Sequence, residues 1–134
     1  MKRTRLSRKN VKVRKHRIKK IWSANNWLQL SKNEYDAYKK NNKITDFAQA
    51  SEKLWNSFNL YMSERVGKKL LSYSAVKNEV EKTKDFELSA AFIAAYDLHK
   101  FFYRGEVKGY TDDIKAEEGL YDKVYGFLNR KVIK

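Results

Sequence analysis

The chain has 134 residues, no cysteine, no proline, and thirty Lys and Arg against sixteen Asp and Glu, for a formal net charge of +14. Without Cys there is no disulfide, thiolate metal site or cysteine nucleophile, and no apolar run approaches the ~20 residues of a membrane span. A charge so far from balance implies a polyanionic partner.

That charge is concentrated at one end. Lys2, Arg3, Arg5, Arg8, Lys9, Lys12, Arg14, Lys15, Arg17, Lys19 and Lys20 precede the first carboxylate, Glu34, with His16 among them. Beyond these eleven cations, nineteen basic side chains face sixteen acidic ones, so the rest of the chain is nearly balanced. A block of like charges cannot bury itself and stays open until an anion neutralises it. The five arginines can grip phosphates bidentately and stack on bases, while the lysines act as point charges. Val11, Val13, Ile18, Ile21 and Trp22 interleave with them and can pack into a groove or stack on an unpaired base. Residues 1–24 therefore read as a basic nucleic-acid-binding arm, extended over its first ten residues, with a short helix in 11–24 once a partner is bound. Its candidate binding residues are the eleven cations together with His16 and Trp22.

The plainer readings of the arm are a solvated tail and a polybasic contact with a membrane surface. Eleven cations without one anion argue against the first. The lack of an amphipathic apolar face or lipidation signal argues against the second. The N-terminus has no apolar h-region and is poor in the Ser and Ala of a transit peptide, so a cytoplasmic location is expected.

Residues 25–134 read as one helical domain of about 110 residues, enough for an independent core. Ser23 to Asn26 reads as the joint with the arm. Ser31-Lys32-Asn33-Glu34 is a capping-box pattern that predicts a helix starting at Ser31, striped by Tyr35 and Tyr38 and ending at Asn41-Asn42. Thr45 or Asp46 is expected to cap the next helix, on which Phe47, Ala50, Leu54, Phe58, Tyr61 and Met62 recur at three- and four-residue spacing until Gly67. Ser72 or Ser74 starts a shorter helix that buries Val76 and Val80.

Asp85 opens the most apolar helix, where Leu88, Ala91, Phe92, Ala95, Leu98, Phe101 and Phe102 line more than one face. Such a helix is expected at the bundle centre. Gly105 and Gly109 mark a turn, and Thr111 or Asp112 caps a last helix carrying Ile114, Leu120, Tyr121, Val124, Phe127 and Leu128. Gly119 and Gly126 within it each cost about 1 kcal/mol relative to Ala, which predicts close helix contact or a bend. No stretch alternates with period two. The fold class is all-α: an up-and-down bundle of four to five helices preceded by an extended basic N-terminal arm.

Chemistry-bearing constellations are scarce. His99 is a lone histidine on an aromatic-rich face and reads as a hydrogen-bonded core or rim residue, because Asp97, two residues earlier, faces away from it. Asp112, Asp113, Glu117 and Glu118 resemble a metal cluster, yet acids in the first turns of a helix ordinarily complement its dipole. Trp55 is either core or part of a docking surface, and Phe101-Phe102-Tyr103 is core plus edge. With no Gly-rich phosphate loop, Ser/His/Asp set or ligand-spaced His pair, no enzyme, metal, cofactor or small-molecule substrate is expected.

The run Asp46-Phe47-Ala48-Gln49-Ala50-Ser51-Glu52-Lys53-Leu54-Trp55 resembles the opening of a core helix in the archaeal PaREP-type family of HEPN-like helical domains. Ala95-Tyr96-Asp97-Leu98-His99-Lys100-Phe101-Phe102-Tyr103 is similar to a later segment of that family, and Asp112 to Arg130 to its acidic final helix. The resemblance covers residues 31–130 and leaves the arm as an addition. It implies a HEPN-like bundle, a group whose RNA-cutting members use an Arg followed after four to six residues by His. Positions five to seven before His16 hold Val11, Asn10 and Lys9, and before His99 Ala94, Ile93 and Phe92. None is Arg, so the body is expected to be a non-catalytic scaffold.

Together these features point to an archaeal RNA-binding structural protein. Basic arms of this composition are similar to tails of ribosomal proteins, so the first expectation is a ribosome-associated protein bound to ribosomal RNA, with neighbouring particle proteins as partners and no membrane. A DNA-wrapping coat protein of an archaeal filamentous virus, and a HEPN-type toxin-antitoxin or RNA-processing protein, are the alternatives.

Overall fold

A computed structural model describes residues 23–103 and 111–134. The arm residues 1–22 lie outside the described residues, as do Gly105, Gly109 and the side chains of Thr111 and Asp112. The described chain forms five helices: α1 (Ala24–Asn41), α2 (Ile44–Val66), α3 (Tyr73–Thr83), α4 (Phe86–Tyr103) and α5 (Thr111–Lys131). No strand occurs among the described residues. The architecture is an all-α bundle.

Helix α1 begins seven residues before the capping-box pattern. Ser23, in extended conformation, caps it by accepting the Asn26 N–H at 3.1 Å. The capping-box letters are used sideways instead. Ser31 is fully buried and donates its hydroxyl to the Ala50 carbonyl at 2.6 Å. Its only proton is then committed, so the Tyr121 hydroxyl donates to Ser31 Oγ at 2.7 Å. Glu34 reaches Lys53 Nζ on α2 at 2.6 Å. The predicted cap is thus a clamp that ties α1 to α2 and α5.

Several ends fall where local chemistry puts them. Asn42, at φ 57, closes α1 with its N–H on the Tyr38 carbonyl. Gly67, at φ 74, closes α2 through the Ser63 carbonyl. Ser72 caps α3 by accepting from the Ala75 N–H at 3.1 Å, and Asp85 Oδ1 accepts from the Leu88 N–H as α4 begins. Helix α2 differs from expectation: it starts at Ile44 with Lys43 as an N-cap that makes no side-chain bond. Asp46 sits in its first turn, where a carboxylate complements the dipole without capping.

The centre of the bundle is α2 rather than α4. Helix α2 packs against all four other helices, with Phe47, Ala50, Leu54, Phe58 and Met62 wholly buried. Helix α4 packs on α2, α3 and α5 and leaves Phe86 92% and Ile93 60% exposed. Apolarity alone pointed the wrong way because α2 buries serines. Ser51 and Ser57 are at most 1% exposed, and Ser57 donates to the Ala24 carbonyl at 2.7 Å. Short hydroxyl side chains let α1 lie close against α2 while keeping the ladder of backbone groups satisfied.

The glycines of α5 make no close helix contact. A Cβ built at Gly119 or Gly126 would meet nothing within 4 Å, so no close helix contact requires either one. Each carries only the entropic cost of glycine inside a helix. Gly119→Ala and Gly126→Ala are therefore each expected to stabilise the fold by about 0.5–1 kcal/mol. The check is a urea midpoint that rises with unchanged slope; an unchanged or lowered midpoint would mean a hidden contact.

Candidate functional site

The predicted binding residues from Lys2 to Trp22 lie outside the described residues, but the root from which they extend is fixed. The Ala24 N–H donates to Glu64 Oε2 at 3.0 Å, and the Ala24 carbonyl accepts from Ser57. Both partners are on α2. The chain leading to the arm therefore leaves the body against the second half of that helix.

A pocket opens at the same level of α2. Trp55 and Asn59 stand four residues apart on α2, and Tyr96 and His99 three apart on α4, spacings that put each pair on one helix face. The connection after Gly67 brings Leu70 and Leu71 over, anchored where the Leu70 N–H donates to Ser63 Oγ at 3.1 Å. Ser72, Tyr73 and Val76 at the start of α3 close the wall of a pocket of about 360 Å³.

The rings around it lie close to one another, three pairs inclined by less than 30° and Trp55–Tyr96 by 44° at 5.5 Å. His99 stacks on Trp55 at 5.3 Å with 20° between planes, and Tyr73 on Tyr96 at 4.3 Å and 29°. Tyr96 and His99 are 26° apart at 6.2 Å. Lys100 Nζ sits 4.8 Å over the Tyr96 ring, within cation–π range. Asn59 adds a carboxamide whose Oδ1 is buried and accepts no hydrogen bond.

His99 Nδ1 is 2.7 Å from Glu52 Oε1, and its side chain is 22% exposed, as expected for a hydrogen-bonded rim residue. The carboxylate that orients it was missed because only Asp97, nearby in sequence, was weighed. Glu52 lies 47 positions away, and its one local signal is a place three residues before Trp55 on the same helix face. Trp55 proves to be both core and pocket wall, at 9% exposure. Phe102 is buried and Phe101 half-buried, core plus edge, while the Tyr103 side chain lies outside the described residues.

The acidic residues of α5 divide. Asp112 and Asp113 lie outside the described side chains, and Glu117 is buried. Glu118 accepts from the Tyr38 hydroxyl and from Lys39 Nζ, each at 2.7 Å, and so joins α5 to α1. Among the described residues, no group of three or more His, Asp or Glu side chains is placed to hold a metal ion. No described helix is long and apolar enough to cross a membrane.

The Tyr38–Glu118 junction belongs to a tyrosine cluster with unusual titration. Tyr35 stacks on Tyr121 at 3.9 Å and 14°. Burial, then the bond to Glu118, pushes the Tyr38 phenol up to about 12. Burial pushes Tyr121 up further, and Tyr35 is raised by burial and by the field of Asp122 and Glu118. Burial works to raise Glu118, but the bonds from Lys39 and Tyr38 outweigh it and hold the carboxyl below its ordinary range.

The signs set two limits on stability. Unfolded tyrosines ionise near pH ~10, so the contribution of the raised phenols is full below that pH and is lost as pH climbs through their folded values. The contribution of Glu118 is full above the unfolded carboxyl value of about 4.3 and is lost as pH falls through its lower folded value. The part of the tyrosinate absorbance that belongs to Tyr35, Tyr38 and Tyr121 is expected to appear only with loss of helical circular dichroism at alkaline pH, and Glu118→Gln to flatten the acid limb. Full ionisation near pH ~10 with the helices intact would show that the phenols are not protected.

The chain matches no known family, no curated protein and no solved structure.

Proposed function

We propose that this chain is an RNA-binding structural protein of a ribonucleoprotein particle, the archaeal ribosome first among them, located in the cytoplasm. The observation that carries the reading is the division of charge: eleven cations and no anion in residues 1–22, on a body with nineteen basic and sixteen acidic side chains. Such an arm neutralises phosphates and releases their counterions, which gives strong, salt-sensitive binding with little sequence readout. Arginines interleaved with Val, Ile and Trp22 suit RNA, where phosphates crowd and unpaired bases are available for stacking. The HEPN-like body acts as a non-catalytic scaffold that takes no cofactor and meets neighbouring particle proteins. Phe86 and Ile93, seven residues apart on one face of α4 and both exposed, support a protein neighbour there.

Sedimentation tests the reading. Full-length protein from a native lysate is expected to run with a ribosomal subunit at low salt, and protein lacking residues 1–22 to stay at the top of the gradient. Full-length protein at the top even at low salt would sink the ribosome assignment. Polymers formed with DNA would instead favour the coat-protein alternative.

A further inference from the structure

We propose that the pocket between α2, α3 and α4 receives an unpaired nucleobase of the RNA strand that the arm grips. This rests on the reading of the arm as an RNA-binding segment and adds a site on the body. The pocket's volume, about 360 Å³, falls in the usual range of small-ligand sites, about 300–1,000 Å³. Its chemistry is what a base requires. The rings of Trp55, Tyr73, Tyr96 and His99 line it, inclined by 20–29° within the Trp55–His99, Tyr73–Tyr96 and Tyr96–His99 pairs and by 44° between Trp55 and Tyr96, and aromatic rings of this kind are what a flat base stacks on.

Base edges need hydrogen-bonding groups, and Asn59 supplies one. Its Oδ1 accepts no hydrogen bond, so rotation of the carboxamide breaks no bond to that atom. Asn59 can thus offer either a donor or an acceptor. The phosphate attached to a flipped-out nucleotide needs a nearby cation, and Lys100 Nζ stands 4.8 Å over the ring of Tyr96, which lines the pocket. Two other depressions, one lined by Lys68, Asn78, Glu79 and Lys82 and one by Asp36, Lys39 and Lys40, offer no aromatic face.

Position completes the case. Ser57, which holds the Ala24 carbonyl, lies between Trp55 and Asn59 along α2. The arm's root and the pocket therefore share one level of the helix, about one helix diameter (~10 Å) apart around it. A strand whose phosphates are held near the root passes the pocket with its bases still unpaired. A neighbouring protein's aromatic side chain could fill the same space but has no use for Asn59 or for the cation over Tyr96.

The test compares the full chain on single-stranded oligouridine and on an abasic phosphodiester of equal length and charge. The base-bearing strand is expected to bind about 5- to 150-fold more tightly, the worth of one stacked base. Tyr73→Ala with Tyr96→Leu is expected to abolish that preference and to leave the salt dependence unchanged. Equal binding of both strands by the unsubstituted chain, with steep salt dependence, overturns the pocket and leaves the arm reading standing. A preference that survives in the variant also overturns it, since the stacking then belongs to Trp22. Binding of neither strand defeats both readings together. If the variant fails to fold, photo-crosslinking of the unsubstituted chain from 4-thiouridine decides. Crosslinks at residues 55–59, 70–76 or 96–99 support the pocket, and crosslinks confined to residues 1–22 overturn it.

Discussion

Raising salt from about 50 to about 200 mM is expected to cost the full chain about 10²- to 10⁴-fold in affinity for single-stranded RNA, and to cost the chain lacking residues 1–22 almost nothing. The arm has eleven cations to offer, which caps the phosphates it can neutralise. If six to ten engage, each contributes about −0.7 to the slope of log affinity on log salt, for a total of about −4 to −7. The body cannot supply such a slope. Its charges are nearly balanced, nineteen basic against sixteen acidic, and some of them pair, as in Lys82–Glu79 at 2.9 Å and Arg130–Glu87 at 2.9 Å. Fluorescence anisotropy titrations at four or five salt concentrations give both slopes directly. A full chain whose slope is no steeper than that of the truncated chain would remove the arm from the binding surface.

Truncation of Phe47 is expected to cost about 3–5 kcal/mol. The ring is wholly buried at the start of α2. It lies 4.7 Å from Tyr38 and 5.5 Å from Tyr35 on α1, 4.8 Å from Phe102 on α4 and 6.1 Å from Tyr121 on α5. One side chain therefore fills the space between four helices, and no neighbour can collapse into the gap without breaking another ring contact. A domain of this size has about 5–15 kcal/mol in all, so Phe47→Ala removes a large share of it. Urea unfolding followed by helical circular dichroism measures the loss, with Phe47→Leu as the milder comparison. A loss below about 1 kcal/mol for the alanine variant would show that the ring is not wedged as described.

What could be read from the residues alone was what local chemistry decides. Asn42, Gly67, Ser72 and Asp85 end or begin helices through bonds to residues three or four positions away, and such bonds leave their mark in short stretches of sequence. The same short-range logic misread Ser31-Lys32-Asn33-Glu34, where Ser31 and Glu34 serve tertiary partners. It also placed α4 at the centre, because a count of apolar residues cannot see that α2 buries serines, Ser57 among them against α1. The pocket was legible only in fragments. Trp55, His99 and the aromatic run of α4 each stood out, but the Glu52–His99 pair joins residues on two different helices. Tyr73, which stacks on Tyr96 across the pocket, gave no signal from its own surroundings.

The bond between Ser31 and Tyr121 also bears on how the chain assembles. Helices α1 and α2 are joined by Asn42 and Lys43 alone, so their large shared face can form early, as local pairings do. The Tyr121 hydroxyl, by contrast, must find Ser31 across 90 positions of chain. Until α5 docks, the Ser31 hydroxyl can still hold the Ala50 carbonyl, and the α1–α2 hairpin lacks only its bonds to α5, among them those of Ser31 with Tyr121 and of Tyr38 and Lys39 with Glu118. Hydrogen exchange under native conditions should therefore release the amides of α5 before those of α2, in a separate opening step. The last helix acts as a latch on a hairpin that is already formed.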